Sequence, residues 1–380
     1  MWYIIYILNY LIIVVLLSSC VNDPVKTITH FVKGENGALV LCEALQATDS
    51  SSITCINFKT NDITTNYFGI NNAGQKLGDL ANDLIIRGDT VYVSVSGSRT
   101  IEAFLLSTGK SIGRIIFPKY VMPRKMAFIN DTMAFVTSYV PLSNNEEDYC
   151  IYEFNPRKLE LTGSKILVGS HPEGITYSSN NNKIYVVNSG FGDFCYPPNE
   201  STISIIDIAE KKEVKNIKTE NNPNRIYSAN GKIYVVYWEL PSLQEAENKF
   251  GGIIEYDAIN MKTLRKWDTP VYDLCFNSNC DTIFYLSSSI NNKVSGELNS
   301  GVSCIALKDP LAKPHQIIKN SNKNQIWTAI AINNSTGDLW VANSFNFQSK
   351  GEIMVYNLSD TRTPKQTYKT GLIPNTIRFY

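Results

Sequence analysis

The chain has 380 residues, with 35 lysines and arginines balanced by 35 aspartates and glutamates. This balance gives no indication of a nucleic-acid partner or of binding to an anionic surface. Only three histidines are present, His30, His171 and His315, which argues against a histidine-rich catalytic metal centre. Aromatic residues make up 11% and charged residues 18%, as is typical of strands buried on both faces and of exposed aromatic loops.

The N-terminus reads as a targeting segment. Residues 1–17 are almost entirely apolar, and Leu17-Ser18-Ser19-Cys20 follows directly. This resembles a bacterial lipoprotein signal, which implies lipidation of Cys20, although the first ten residues lack the usual Lys or Arg. A single transmembrane anchor is the alternative. We therefore predict a signal peptide over 1–19, a lipidated tether over 20–36 and a folded domain over 37–380.

A short strand beginning at a turn recurs along the folded domain. From Val40 to Trp340 there are six steps over 300 residues, a mean period of about 50. Repeats of this length that contain only short strands favour a β-propeller with one blade per repeat. The copies of this strand are residues 37–41, 89–93, 131–135, 182–186, 231–235, 281–285 and 337–341.

Each repeat is predicted to hold four antiparallel strands. In the fourth repeat these are 175–177, 183–189, 202–208 and 214–219, and the second strand is apolar without alternation. A continuous apolar run fits a blade that is buried between two neighbours. A proline precedes the inner strand in five places: Pro123, Pro172, Pro223, Pro270 and Pro374.

The two ends of the domain complement each other. Residues 376–380 form one inner strand without the rest of a blade, whereas the first repeat lacks an inner strand. Pairing of these two segments would close the ring and remove its edge strands. The sequence therefore predicts an all-β fold, a seven-bladed propeller of four-stranded blades, with six or eight blades as alternatives.

The loops joining second to third strands are unusually long and should share one face with the starts of the inner strands. Long loops that are concentrated on one face of a propeller indicate that this face binds a partner or ligand. The loops are rich in aromatic rings and amides, which suit a bulky, nearly neutral ligand, although individual rings could instead pack their own loops. The long loops are 139–149, 189–201, 237–251, 287–301 and 344–350. Their candidate ligand-binding residues are Phe191, Phe194, Tyr196, Tyr237, Trp238, Phe345, Phe347, Asn188, Asn343 and Asn346.

Polar residues follow the prolines at the expected mouth of the central channel. They could hydrogen-bond a ligand or be solvated rim groups, and His171 also lies at this mouth. These residues are Arg124, Lys125, Glu173, Asn224, Arg225 and Asn375.

Eight cysteines fit an exported protein, and seven remain if Cys20 is lipidated. Three disulfide pairings are open: Cys42 with Cys55, Cys150 with Cys195, and Cys275 with Cys280. Cys304 would then be left over. No Cys-x-x-Cys spacing typical of a zinc site occurs, so no metal site is expected.

The prolines, the strand 184–189 and the strand 205–208 resemble those of YncE-type propellers with YVTN repeats, over residues 38–380. Joined to a lipobox, this layout is similar to BtuG, a surface lipoprotein family of Bacteroidota. That resemblance implies a lipid-anchored, surface-exposed outer-membrane protein that captures a corrinoid (vitamin B12) and passes it to a TonB-dependent barrel, without catalytic residues or a cofactor of its own. For such a ligand His171 could be a cobalt ligand or a simple turn residue. A surface scaffold or glycan-binding propeller is the alternative. A lactonase-like hydrolase would have only Asp83, Glu173 and Asp273 as channel carboxylates.

Overall fold

A computed structural model describes residues 37–141, 143, 145–190, 200–238, 251–287, 301–322 and 324–380. The predicted signal peptide, Cys20 and the tether lie outside these residues. The described part forms seven four-stranded antiparallel sheets, each a blade of a β-propeller, which confirms the predicted fold. Among these residues, no helix is long and apolar enough to cross a membrane.

In blades 2–7 the first two strands form a hairpin beside the central channel, and in blade 1 the corresponding two strands come from opposite ends of the domain. From blade 1 to blade 7, the inner strands are β28 (Pro374–Phe379), β4 (Ala81–Arg87), β8 (Met122–Phe128), β12 (Pro172–Ser178), β16 (Pro223–Ala229), β20 (Asp273–Phe276) and β24 (Trp327–Asn333). The second strands are β1 (Gly37–Cys42), β5 (Thr90–Val95), β9 (Ala134–Tyr139), β13 (Lys183–Asn188), β17 (Lys232–Tyr237), β21 (Thr282–Ser287) and β25 (Asp338–Asn343).

The other two strands complete each blade toward the rim. In the same order, the third strands are β2 (Ser52–Asn57), β6 (Thr100–Leu105), β10 (Cys150–Asn155), β14 (Thr202–Asp207), β18 (Gly252–Asp257), β22 (Gly301–Ala306) and β26 (Lys350–Tyr356). The outer strands are β3 (Ile63–Thr64), β7 (Ser111–Ile116), β11 (Glu160–Leu167), β15 (Lys212–Lys218), β19 (Thr263–Asp268), β23 (His315–Lys319) and β27 (Gln366–Leu372).

The core is divided into layers between neighbouring blades. In β13 the four consecutive residues 184–187 are fully buried, with alternate side chains entering different layers. Tyr185 and Val187 pack with Ile233 and Val235 of the next blade, whereas Ile184 packs toward the preceding blade. The unbroken apolar run in the sequence therefore reflects burial on both faces, as predicted.

Closure of the ring follows the prediction as well. The C-terminal strand β28 pairs with β1, with Ala38 opposite Phe379 and Val40 opposite Ile377. Gly37 and Tyr380 exchange two backbone hydrogen bonds of 3.0 and 3.1 Å. Both ends of the described domain thus complete blade 1, and no inner edge is left unpaired there.

Blade 1 also contains a feature that the repeat pattern did not predict. Its outer strand β3 has two residues, and a short helix, α1 (Tyr67–Asn71), follows it. Phe68 is fully buried against Phe104 of blade 2, and the Tyr67 hydroxyl donates to the Leu106 carbonyl at 2.9 Å. The helix thus packs its aromatic side chains against blade 2, beside the shortened outer strand of blade 1. A short 3₁₀ turn spans Glu146–Asp148 in blade 3.

Two of the three disulfide hypotheses are wrong in this structure. All six described cysteines are free: Cys42, Cys55, Cys150, Cys275, Cys280 and Cys304. The strand register is the reason for the first pair, because Cys55 lies opposite Leu39, three residues along β1 from Cys42. Cys275 lies opposite Phe284, whereas Cys280 belongs to the turn before β21. The third hypothesis involves Cys195, which lies outside the described residues.

Candidate functional site

The strand register places the long loops and the starts of the inner strands at one end of the ring. Pro172, at the start of β12, pairs with Asn188 at the end of β13, which in turn pairs with Thr202 at the start of β14. Pro223, Tyr237 and Gly252 repeat this arrangement in blade 5. The second-to-third loops and the channel mouth therefore share a face, which we call the long-loop face.

The central channel contains a cavity of about 630 Å³ lined by the inner strands. At the long-loop face, six of the lining residues occupy the equivalent position, which is two residues after the proline at the entry to the inner strand, or after the residue that replaces this proline in blades 2 and 6. We call these six residues the collar. In blade order, the collar is Thr376, Asp83, Lys125, Gly174, Arg225 and Asp273.

The inner strands are irregular where they enter this collar. The pairing register shifts beside Asp83, between Pro123 and Met126, between Pro172 and Ile175, and beside Arg225. Such bulges are common next to functional sites because they redirect a side chain that a regular strand would turn elsewhere. In this propeller the bulges lie at the collar residues that line the cavity.

The two collar carboxylates hold neighbouring inner strands together. Asp83 accepts backbone hydrogen bonds of 3.0 Å from Leu84 and, in the next blade, from Met126. Asp273 likewise accepts from the Ile330 backbone N–H of the next blade at 3.2 Å and from the Tyr227 hydroxyl at 3.0 Å. Each carboxylate therefore has a structural partner in the adjacent blade, and this commitment disfavours a role as a general base.

Lys125 differs from the other charged residues of the collar. Its ammonium group donates to the Asn82 backbone carbonyl and forms no ion pair with the described residues. The pKa of Lys125 is lowered to about 8, mainly by burial; the charge of Asp83 opposes this effect, the charges of Arg225 and Arg124 add to it, and that of Glu43 opposes it. The collar thus holds a desolvated amine that has no carboxylate partner.

An aromatic shelf lies beside the mouth between blades 5 and 6. The rings of Trp238 and Tyr272 are stacked, with centroids 4.9 Å apart and an interplanar angle of 7°. The Trp238 indole N–H donates to the Tyr272 carbonyl at 3.1 Å, which fixes the ring. The Arg225 guanidinium carbon is 5.9 Å from both ring centroids. We call these three residues the shelf.

The sequence indicated Trp238 and Arg225 but missed Tyr272. Tyr272 occupies the position equivalent to Asn224 and Asn375, immediately before the collar residue of its blade. Alignment of the inner strands on the collar position, rather than on the prolines, would have identified it.

Two further candidates, Arg124 in blade 3 and His171 directly before blade 4, have partners within the protein. Arg124 forms an ion pair of 2.8 Å with Glu173 and lies 6.0 Å from the centre of the Tyr139 ring. His171 is 3% exposed, its Nδ1 is 2.6 Å from the Ser170 hydroxyl, and its ring packs 4.8 Å from Tyr149. The structure thus shows His171 as a buried turn residue, and its alternative role as a cobalt ligand stays a prediction.

Three other predicted ligand-binding residues are also buried. The Asn188 amide is fully buried, 2.9 Å from each of two strand hydroxyls, and the fully buried Asn343 amide donates to Glu352 at 3.1 Å. Tyr237 is 6% exposed and donates to Asp268 at 2.6 Å. These three side chains form hydrogen bonds within the protein at the bases of the loops, whereas the sequence predicted that they would contact a ligand.

The remaining aromatic candidates have different outcomes. Phe345 is partly exposed, and the Lys369 ammonium lies 6.0 Å from its ring, so it faces the outer strand of blade 7 rather than the channel. Phe191, Phe194 and Tyr196 lie outside the described residues. In the described part of the chain, no group of three or more His, Cys, Asp or Glu residues could hold a metal ion.

No protein-family model and no curated protein matches this chain. Solved structures do resemble it. A quinoprotein alcohol dehydrogenase-like protein from Bacteroides thetaiotaomicron is 14% identical, with a TM-score of 0.63 over 90% of this chain and 78% of that one. The periplasmic gluconolactonase PpgL of Pseudomonas aeruginosa is 10% identical, with a TM-score of 0.64 over 90% of this chain and 99% of that one.

Hydrazine synthase from Kuenenia stuttgartiensis is 14% identical, with a TM-score of 0.59 over 76% of this chain and 85% of that one. At such low identities these similarities show the fold alone. The resemblance to corrinoid-capturing propellers therefore stays a prediction. What the strand order and the structural neighbours establish is that this chain is a seven-bladed β-propeller.

Proposed function

We propose that this propeller is a non-catalytic binding protein that captures a bulky nutrient on the long-loop face. The single observation that carries the proposal is the shelf of Trp238, Tyr272 and Arg225 beside the channel mouth. Stacked rings next to a guanidinium provide a rigid, amphipathic surface for a large ligand with amide and apolar parts. The commitment of Asp83 and Asp273 to neighbouring strands supports binding rather than hydrolysis.

A corrinoid is the most specific ligand that the sequence resemblance suggests. In this proposal Cys20 carries a lipid that anchors the protein to the outer membrane, exposed on the cell surface, and a TonB-dependent barrel receives the ligand. Phe191, Phe194 and Tyr196 of the blade 4 loop would add aromatic contacts. A surface scaffold or glycan-binding propeller is the competing function.

Isothermal titration of the protein from Val21 to Tyr380 with cyanocobalamin tests the proposal. We expect saturable binding at one site, weakened by about tenfold or more in Trp238→Ala because this change removes an aromatic contact surface. Ile259→Ala is the control, since Ile259 is 84% exposed in the turn between β18 and β19, at the opposite face. Absence of binding at tens of micromolar would remove the corrinoid and favour a scaffold or a glycan ligand.

Anchoring and exposure have a separate test. Metabolic labelling with a palmitate analogue should modify the wild-type protein but not Cys20→Ser. Protease treatment of intact cells should then digest the anchored propeller. Labelling of the variant, or full protection of the wild type in intact cells, would contradict this part of the proposal.

A further inference from the structure

Three consecutive blades present two cations with a gap between them. Lys125 and Arg225 occupy the collar position in blades 3 and 5, and Gly174 occupies it in blade 4. A Cβ at Gly174 would lie 2.9 Å from the Asn224 carbonyl oxygen and 3.0 Å from the Arg225 Cα. Both contacts are with backbone atoms, so close packing of blades 4 and 5 requires glycine here. As a result, blade 4 contributes no side chain at the collar position between the two cations.

Hydrogen-bond donors on both sides of this gap are unused by the protein. Lys125 donates only to the Asn82 carbonyl, and Arg225 uses Nε, at 3.3 Å from the Tyr272 carbonyl and 3.4 Å from Asp273. Within the described residues, the guanidinium is ion-paired with Asp273, and its two terminal nitrogens donate no hydrogen bond to another group. The guanidinium and the ammonium group therefore retain free donors beside the gap.

The charge of the channel also favours an anion. Its lining includes three cationic residues, Lys125, Arg225 and Arg378, but only two carboxylates, Asp83 and Asp273. The excess positive charge lies in a partly desolvated channel, where an unpaired charge is costly and attraction to an anion is strong. Glu173, the acidic neighbour of the gap in sequence, is already paired with Arg124 at 2.8 Å.

We propose that the gap bounded by Lys125, Gly174 and Arg225 binds an anionic group, a phosphate or a carboxylate, that enters the channel from the long-loop face. This inference deepens the proposed function and rests on it in one respect: the anionic group would belong to the ligand that covers the shelf. Arg225 takes part in both features, so a ligand stacked on the shelf would have its anionic substituent directed into the collar.

Calorimetric titration with inorganic phosphate at low ionic strength and pH 7 tests this subsite. We expect saturable binding at one site, weakened about tenfold or more in Lys125→Met because a charge-assisted hydrogen bond is lost. Lys262→Met, which removes an exposed lysine outside the channel, should bind phosphate as the wild type does. A folded wild-type protein that shows no saturable binding up to tens of millimolar, or a Lys125→Met variant with unchanged affinity, would overturn the inference.

A second measurement keeps the test valid if Lys125→Met fails to fold. In the wild-type protein, phosphate should protect Lys125 from acetic anhydride, as read by peptide mass spectrometry, and leave acetylation of Lys262 unchanged. Equal acetylation of Lys125 with and without phosphate would overturn the subsite. Malonate in place of phosphate distinguishes the two sources, since tighter malonate binding indicates a carboxylate ligand.

The two proposals fail separately. Phosphate binding without cyanocobalamin binding would retain the anion subsite and remove the corrinoid function. Cyanocobalamin binding without phosphate or malonate binding would retain capture at the shelf and overturn the anion subsite.

Discussion

Two fully buried glutamates on third strands should respond in opposite ways to neutralisation. Glu255 in β18 has two cationic partners, Lys232 at 2.5 Å and Arg265, and also accepts from the Tyr234 hydroxyl at 3.1 Å. Burial would raise the pKa of Glu255, but the hydrogen bonds and charges of Arg265 and Lys232 outweigh it, so the pKa lies below its ordinary value. Its ionised form is therefore stabilised by folding.

Glu102 in β6 is as fully buried as Glu255 but has only one cationic partner among the described residues. It lies 2.9 Å from Arg114, whose side chain is 37% exposed, and 2.5 Å from the Ser111 hydroxyl. Burial raises the pKa of Glu102 and dominates the opposing effects of Ser111 and Arg114. Glu102 is thus a control for Glu255, with equal burial and the same charge but an opposite pKa shift.

Because the two pKa shifts are opposite, Glu255→Gln and Glu102→Gln should change the free energy of unfolding by different amounts. Loss of one member of a buried ion pair costs about 3 kcal/mol, so Glu255→Gln should lower the free energy of unfolding by that amount at pH 7. Glu102→Gln removes a charge that folding disfavours, so we expect a change within about 1 kcal/mol, or a gain. Denaturant unfolding, followed by far-UV circular dichroism and tryptophan fluorescence, measures both.

The two variants should also differ in how their stability depends on pH. A lowered folded-state pKa gives stability that is present above the ordinary pKa of Glu, about 4.3, and lost as the pH falls through the folded value. The deficit of Glu255→Gln should therefore shrink as the pH falls below about 4.3. The raised pKa of Glu102 gives a contribution that is present below about pH 4.3 and lost as the pH rises. Equal costs for both variants at pH 7, or a Glu255→Gln cost that is independent of pH, would refute this reasoning.

Three further perturbations test how the blades are joined. Gly174→Ala should cost about 1–3 kcal/mol, since the added Cβ meets backbone of blade 5, and an unchanged melting temperature would contradict the close packing. Lys211→Met should cost about 2 kcal/mol by leaving the buried Glu153 of the neighbouring blade without its 2.8 Å partner; differential scanning calorimetry measures this, with Lys262→Met as control. Deletion of residues 374–380 should leave the inner edge of β1 unpaired and produce aggregation on size-exclusion chromatography, whereas a monomer with wild-type thermal stability would rule out closure by this strand.

The fold was predictable because each blade repeats the same physical requirement. A strand buried on both faces needs an unbroken apolar run, and such runs at about 50-residue spacing indicate the blades and their number. The pairing of β28 with β1 also follows from the sequence, since two incomplete repeats complement each other. The helix α1 was not predictable from the repeat, because it replaces most of one outer strand in a single blade.

The candidate site was predicted only in part, because composition does not show which way a side chain faces. Arg225 and Trp238 were identified, but Asn188 and Asn343, which have the same polarity as surface amides, turned out to be buried. Tyr272 was missed because it follows a proline that lies farther from its strand than the other prolines do. The special role of Gly174 depends on the distance between two blades, which no local sequence pattern contains.

The pairing of Gly37 with Tyr380 has a consequence for orientation. The β1 residue Cys42 pairs with Pro374 at the long-loop end, so Gly37 lies at the opposite end of the same strand. The chain before Gly37 therefore joins the domain at the end of the ring opposite the long-loop face. If Cys20 carries a lipid, the connection to this anchor therefore leaves the ring at the end opposite the collar and the shelf.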